Sequence, residues 1–211
     1  MITAIVLAGG RSSRFGSDKL AAEIDGTSLL SRTVAAVEPI ADIVIVAGPA
    51  LPRGLDGGDI PATVVGDPEP FGGPLVALAN VLERGIPDPV TSLAIVVGGD
   101  MPRLVPAVLT AMLDRLAADP ELDAVLLQAP DAQYRQLLPL ALRENAAVHA
   151  ARAALEAGDR SLTAFVDRLR TIELPAQEWQ GLDPVGETLA DVDTPADLDR
   201  LRSAEFEPEG R

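Results

Sequence analysis

Four short apolar runs, Ile2–Ala8, Ile43–Ala47, Ala62–Val65 and Leu93–Val97, are spaced through the first half of this 211-residue chain. They are apolar almost throughout rather than alternating with polar residues, so as strands both of their faces must be covered. Helical periodicity separates them. Ser28–Val37 places Leu29, Leu30, Val34 and Val37 on one stripe, and Leu75–Arg84 forms a second helical segment. Buried strands alternating with helices of this length predict a three-layer α/β/α fold with a mostly parallel sheet. Downstream, helices are expected at Leu104–Ala118, Arg143–Ala157 and Leu162–Leu169, with strands at Ala124–Leu127, Tyr134–Leu142, Thr171–Leu174 and Leu189–Val192. Thr194-Pro195 opens a final helix, with proline in the first turn. Gly48–Ile60 and Asp67–Pro74 read as loops. One domain over 1–203 and a polar, flexible tail over 204–211 account for the whole length.

The composition excludes several classes of chemistry. The chain has no cysteine, and its single histidine, His149, sits in an alanine-rich helical stretch as a solvated or partly packed residue. Thiolate nucleophiles, zinc–thiolate sites and serine–histidine catalysis are therefore set aside. A metal here must be held by carboxylates, which suits a hard cation such as Mg²⁺. The formal net charge of −15 argues against nucleic-acid binding, but a small phosphate ligand responds to the local site rather than to the total. No apolar run approaches the roughly 20 residues that span a bilayer. Met1 leads straight into a strand without the pattern of a signal peptide, so a cytoplasmic location is expected.

The most informative loop follows the first strand: Leu7-Ala-Gly-Gly-Arg-Ser-Ser-Arg-Phe-Gly-Ser-Asp-Lys19. In open α/β sheets ligands bind beyond the carboxyl ends of the strands, where this loop begins. Gly9 and Gly10 allow backbone N–H groups to approach an anion, and Arg11, Arg14 and Lys19 supply charge. Lys19 is the only lysine in the chain; the other 16 of the 17 formally cationic side chains are arginine. An ammonium is a compact, mobile point charge, whereas a guanidinium is a planar fork. By count alone, a composition drifting towards arginine explains the lone lysine equally well. Two familiar phosphate motifs do not fit. A P-loop requires Gly-Lys followed by Ser or Thr, whereas Gly16 is separated from Lys19 and Leu20 follows it. The dinucleotide fingerprint G-x-G-x-x-G is also absent.

The loop resembles the signature of nucleotidyltransferases of the molybdenum cofactor guanylyltransferase-like (MobA-like) family, Leu-Ala-Gly-Gly-x-Ser-x-Arg-x-Gly-x-Asp-Lys. Three further segments match in the family's order. Asp67, followed by Gly73-Pro74-Leu-Val-Ala77, resembles an aspartate and Gly-Pro-Leu-Ala-Gly element near the nucleotide base; a carboxylate can accept from guanine N1–H and its 2-amino group. A turn residue before Pro68 is the alternative for Asp67. Gly99-Asp100-Met-Pro102 resembles the metal-binding aspartate after the central strand, with helix capping towards Leu104 as the alternative. Asp191-Val-Asp193-Thr-Pro195 resembles the late element before the last helix, Asp193 being a second metal ligand or merely a turn residue. Gly158-Asp-Arg160-Ser161 resembles an acceptor-side element, in which Arg160 meets an acceptor phosphate or belongs to an exposed cap. Val46, Val76 and Ala77 depart from the family pattern. So do the two aspartates at 191 and 193, where guanylyltransferases often have asparagine and cytidylyltransferases have aspartate.

The resemblance implies a Rossmann-like nucleotidyltransferase fold and Mg²⁺-dependent transfer of GMP from GTP to molybdopterin, with release of pyrophosphate. Asp100 and Asp193 are then metal ligands, and Arg14, Lys19 and Asp100 act at the triphosphate. The Leu7–Gly10 backbone, Lys19, Asp67, Gly73, Pro74 and Asp100 bind the nucleotide. Cytidylyl transfer, or transfer to another phosphorylated small molecule, is the enzymatic alternative. A non-catalytic GTP-binding partner in cofactor delivery is the alternative of a different class. Contact with cofactor-delivery or cofactor-accepting proteins is compatible with each.

Overall fold

The structure, a computed structural model, describes residues 1–9, 15, 19–48, 62–66, 72–84, 92–130 and 135–205. In chain order the first elements are β1 (Ile2–Leu7), the short β2 (Glu23–Ile24) and β3 (Thr27–Ser28), α1 (Leu29–Val37), β4 (Ile43–Ala47), β5 (Ala62–Val65), α2 (Pro74–Arg84) and β6 (Leu93–Gly98). They are followed by α3 (Pro106–Ala118), β7 (Ala124–Leu127), β8 (Leu140–Arg143), α4 (Glu144–Glu156), α5 (Leu162–Val166), β9 (Thr171–Leu174), α6 (Ala176–Trp179) and α7 (Pro195–Glu205).

Seven strands form one sheet in the order β5-β4-β1-β6-β8-β7-β9. The first four are mutually parallel, with Val6 registered against Val46 on one side and Val97 on the other. Only β8 runs against its neighbours. Each strand sends successive side chains to opposite faces. Ala4, Val6, Val44, Val46, Ile95 and Val97 pack with α1 and α3. Ile5, Leu7, Ile45, Ala47 and Val96 pack with α2, α4 and α5 on the other face. This is the expected three-layer α/β/α architecture. The uninterrupted apolar runs result from having helices on both sides.

The chain runs from β1 to β4 and β5 on one side, then returns past β1 to place β6 on the other. The order therefore reverses beside β1, and such a switch point opens a crevice at the carboxyl ends of the strands. The end of β1 and the turn after β6 flank it.

Several boundaries differ from the sequence reading for local reasons. Pro74 is the first residue of α2 rather than the last of the preceding loop, and α3 starts at Pro106 rather than Leu104; proline's missing N–H is harmless in a first turn. The strand read as Tyr134–Leu142 begins only at Leu140, after Pro139, which has no N–H for a ladder; Tyr134 lies outside the described residues. Helix α5 ends at Val166 because Arg168 and Leu169 bond back three residues, to Phe165 O at 3.1 Å and Val166 O at 3.0 Å, tightening the last turn. Leu189–Val192 is not a strand. A 3₁₀ turn covers Glu187–Leu189, and the following extended stretch lies beyond the sheet, joined to it by Val192 N–H donating to Asp100 O at 3.0 Å. The last helix runs through Glu205, two residues into the segment read as tail; 206–211 lie outside the described residues. His149 is exposed on α4, as a solvated helix residue should be.

At the opposite ends of β6 and β7 a hollow of about 250 Å³ is lined by Ser92, Pro120, Asp123, Arg143, Asn145, Ala146 and Arg170. Its charged groups are engaged with one another or with the backbone. Asp123 accepts from Arg170 Nε at 3.0 Å and Nη2 at 3.1 Å, and Arg143 donates to the carbonyls of Leu116, Asp119 and Leu122. The hydrogen bonds from Arg170 hold the Asp123 carboxyl below the usual carboxylate range, against a smaller opposing effect of burial. A depressed folded-state value means stability that is present above the unfolded value of about 3.9 and lost as pH falls through the folded one. Asp123→Asn is thus expected to destabilise the chain by about 1 kcal/mol at pH 7, the exposure of Arg170 keeping the effect small. The difference from wild type should vanish in denaturation curves near pH 2. An undiminished difference there would show that the pair's charge is not what matters.

Candidate active site

The site is rooted in the ends of β1 and β6. The carbonyl of Leu7 accepts from Gly99 N–H at 2.9 Å, and Ala8 N–H donates to Ala47 O at 2.8 Å. These two backbone groups, read from sequence as part of a phosphate cradle, are engaged in tying the loop root to its neighbours. Gly9 is exposed beyond them. Gly10, Arg11, Arg14 and Asp67 lie outside the described residues.

Past the loop, Lys19 opens a 3₁₀ turn, Lys19–Ala21. Its ammonium lies 2.7 Å from Asp100 Oδ2 and 3.0 Å from Asp193 Oδ1. Residues separated by 81 and 174 positions thus converge on one nitrogen. The lysine side chain is 17% exposed. Burial alone would lower its pKa, but hydrogen bonds and attraction from Asp100 and then Asp193 outweigh that, and the net direction is upward. Asp191 belongs to the same electrostatic neighbourhood. Partial desolvation pushes its carboxyl above the usual range, and the charges of Asp193 and Asp100 add to the shift against a smaller relief from Lys19.

Each ligand-bearing turn is held from behind. Asp100 does not cap α3, whose N-cap is Val105; it stands in the turn after Gly98 with its carboxylate facing Lys19. A methyl group placed on Gly98 would run into Asp100 Oδ1, so the glycine before the turn makes room for the carboxylate itself. Thr33 Oγ1, on α1, donates to Gly99 O at 3.2 Å and fixes the turn to the helix layer. On the other side Asp193 is presented by the start of α7. Asp197 Oδ2 accepts from Asp193 N–H at 3.1 Å, Thr194 N–H at 2.7 Å and Thr194 Oγ1 at 2.8 Å, while Asp197 N–H returns to Thr194 Oγ1 at 3.3 Å. This is a reciprocal cap in which Asp replaces the usual Glu. Val192, Ile24, Leu29 and Leu198 form a small apolar cluster beneath, with Phe15 against it.

Gly73 and Pro74 stand at the start of α2. Gly73 has φ +100°, and its carbonyl accepts from Val76 N–H at 3.1 Å; an L side chain there would be strained and would press on Arg160 O. Arg160 Nη1 in turn reaches Gly72 O at 3.4 Å, and Ser161 caps α5 by accepting from Ala164 N–H at 3.1 Å. The segment read as acceptor-side therefore abuts the segment read as base-side. Sequence reading overlooked Asn80, the one polar residue in the buried run Leu75–Leu82, whose amide donates to Gly66 O at 2.9 Å and anchors the chain just before Asp67. Its isolation within an apolar run was the available signal. For Asp197 it was the Thr-x-x-Asp spacing from Thr194 at the start of the last helix; Thr33 had none.

Such an arrangement suits a divalent cation. Two hard carboxylate oxygens already face a single cationic point, and a phosphate-bound Mg²⁺ takes one or two protein carboxylates with phosphate and water oxygens. Among the described residues no group of three or more acidic or histidine side chains surrounds one point, so the protein's share would be this pair.

The MobA-like NTP transferase domain matches residues 4–172, a span that runs from within β1 to the start of β9 and contains both the Lys19 and Asp100 turns. The chain belongs to that family. This NTP transferase is 35% identical over 202 residues to a probable molybdenum cofactor guanylyltransferase of Chloroflexus aggregans, covering 94% of this chain and 92% of that protein. Its fold matches the molybdopterin-guanine dinucleotide biosynthesis protein A of Archaeoglobus fulgidus with a TM-score of 0.75 at 20% identity, over 96% of this chain and 97% of the other. It also matches the 4-diphosphocytidyl-2C-methyl-D-erythritol synthase of Anaerococcus prevotii with a TM-score of 0.70 at 15% identity, over 98% and 99%. The fold and the nucleotidyltransferase class follow. No helix among the described residues is long and apolar enough to cross a membrane.

One consequence concerns Gly98 directly. Gly98→Ala is expected to leave the melting temperature almost unchanged, because the added methyl displaces only a side chain. Nucleotide transfer should fall about tenfold or more as the Asp100 carboxylate turns away, a small misplacement being costly in an oriented site. Steady-state kinetics beside a thermal melt separates the two effects; unchanged kcat would mean Asp100 tolerates the shift.

Proposed function

We propose that this chain transfers GMP from GTP to molybdopterin, releasing pyrophosphate in an Mg²⁺-dependent reaction. The observation that carries the reading is the convergence of Lys19, Asp100 and Asp193 at the switch point of the sheet. The guanylyltransferase relative, similar over nearly its whole length, supports the choice of base and acceptor. A phosphate oxygen of the acceptor attacks the α-phosphorus, the bond to the bridging oxygen of the β-phosphate breaks, and that electron pair leaves with pyrophosphate. An ionised phosphate needs no general base, so the protein's work is positioning and charge neutralisation.

Asp100 and Asp193 would hold Mg²⁺, which when bound would supply positive charge to the triphosphate. Lys19 neutralises charge on the departing phosphates, with Arg14 as its sequence-based companion. The family resemblance assigns the end of β1 with Gly9-Gly10 to the triphosphate, Gly73-Pro74 and Asp67 to the base, and Arg160 to the acceptor side. The Asp191/Asp193 pair, where guanylyltransferases often have asparagines, favours cytidylyl transfer as the second reading.

Pyrophosphate release measured with GTP, CTP, ATP and UTP, each with and without molybdopterin, tests this. Release with GTP that requires both Mg²⁺ and molybdopterin is expected. Preference for CTP would establish the second reading, and GTP binding without release in any combination would leave only a binding protein.

A further inference from the structure

We propose that Lys19 is the resident counter-cation of the metal position, so that the divalent ion and the nucleotide enter the site together and the ammonium passes from the Asp100–Asp193 pair to the triphosphate as they do. This rests on the reading of Asp100 and Asp193 as metal ligands and adds to it the order and coupling of the ligands.

Asp100 Oδ2 and Asp193 Oδ1 both lie within 3.0 Å of Lys19 Nζ. A Mg²⁺ ion sits about 2.1 Å from its oxygen ligands, so an ion on these two oxygens would compete with the ammonium for the same lone pairs and stand less than about 5 Å from it. Two cations at that separation in a half-buried pocket repel strongly, and one must leave. The ammonium has the means: it is a point charge on a flexible four-carbon stem, based on a single 3₁₀ turn at the end of the loop.

It also has a reason to stay until a substitute partner arrives. Lys19 holds together carboxylates that would otherwise face each other and Asp191 uncompensated, a cluster of three acids at the mouth of the crevice. A metal ion arriving alone must break two charge-assisted hydrogen bonds and strand the lysine. A nucleotide arriving with the ion brings phosphate oxygens that take the lysine over. Metal and triphosphate therefore bind with positive coupling, and by reciprocity each tightens the other. An arginine in the same place is a poorer fit for this work, because its larger planar head, with N–H directions fixed in one plane, does not reduce to the single mobile point that the ammonium shares between two carboxylates.

Mn²⁺ binding without nucleotide, followed by electron paramagnetic resonance, gives the first test. Lys19→Met should bind Mn²⁺ about tenfold or more tightly than the wild type, a coupling of ordinary size for linked sites. Equal or weaker binding in the variant overturns the inference. The second test needs no substitution. Because Lys19 is the only lysine in the chain, ¹⁵N-lysine labelling yields one side-chain ammonium signal. That signal should move to a new position when Mg²⁺ and GTP are added together without acceptor, and only slightly with the same Mg²⁺ alone. A signal that stays in place with both ligands bound means a permanent structural clamp and overturns the inference even if Lys19→Met fails to fold. Asp100→Asn in the Lys19→Met background distinguishes the two levels: if Mn²⁺ binding survives it, the metal assignment itself falls, and the displacement with it.

Discussion

Asp100→Asn is expected to lower nucleotidyl transfer by at least about a hundredfold while leaving the fold in place. The substitution keeps the shape of the side chain and removes its charge. It replaces an oxygen that would hold a cation with a group that can point N–H donors at it, and it takes from Lys19 its 2.7 Å partner. Losing one well-placed electrostatic contact in a preorganised site typically costs 10²–10³ in turnover. The residue stands in a turn after β6 with its side chain 23% exposed, so the buried strand pairing of β6 with β1 is untouched and a near-native melting temperature is expected. Raising Mg²⁺ should restore part of the activity if the defect is metal affinity. Activity within tenfold of wild type at ordinary Mg²⁺ would remove Asp100 from the mechanism.

Substitutions at Lys19 form the second prediction, and here two variants say more than one. Lys19→Ala should lower turnover by a comparable 10²–10³-fold, because the developing charge on the leaving phosphates loses its counter-ion. It should also cost about 1 kcal/mol of stability, since Asp100, Asp193 and Asp191 are left facing one another. Lys19→Arg keeps the charge and is nevertheless expected to lose about tenfold or more, for geometric reasons: the guanidinium is a larger, planar head with its N–H directions fixed in one plane, and it does not fit the single point that the ammonium occupies 2.7 Å and 3.0 Å from the two carboxylates. Full activity in Lys19→Arg, measured by pyrophosphate release under saturating GTP, would mean that the lone lysine is an accident of composition.

The division between what could be read from the chain and what could not follows the range of the interactions. Runs such as Ile2–Ala8 and Ile43–Ala47 announce doubly covered strands because each residue's environment is dictated by its own polarity, and the observed β1 and β4 lie within them. Glycine next to Asp100 and lysine at the end of the loop were equally visible, since a phosphate site demands those residue types in a fixed local order. Errors arose where neighbours beyond the local segment decide. Leu189–Val192 has the pattern of a strand but lies beyond the carboxyl end of β6, where Val192 N–H finds one partner, Asp100 O, and no ladder. Polarity said nothing of Asp197, whose carboxylate gathers the backbone of Asp193 and Thr194.

The chain alone thus sufficed for the α/β class and for singling out the glycine-rich loop, its lysine and two downstream aspartates as candidates, because burial, backbone freedom and charge type are properties of residues in sequence. That Lys19 stands between Asp100 and Asp193, rather than merely in the same crevice, is a property of the fold. It requires β1 and β6 to lie side by side and the segment before α7 to return to Lys19, and contacts separated by 81 and 174 positions leave no local trace. The lone lysine was legible as a charge; its place between the two carboxylates came from the packing.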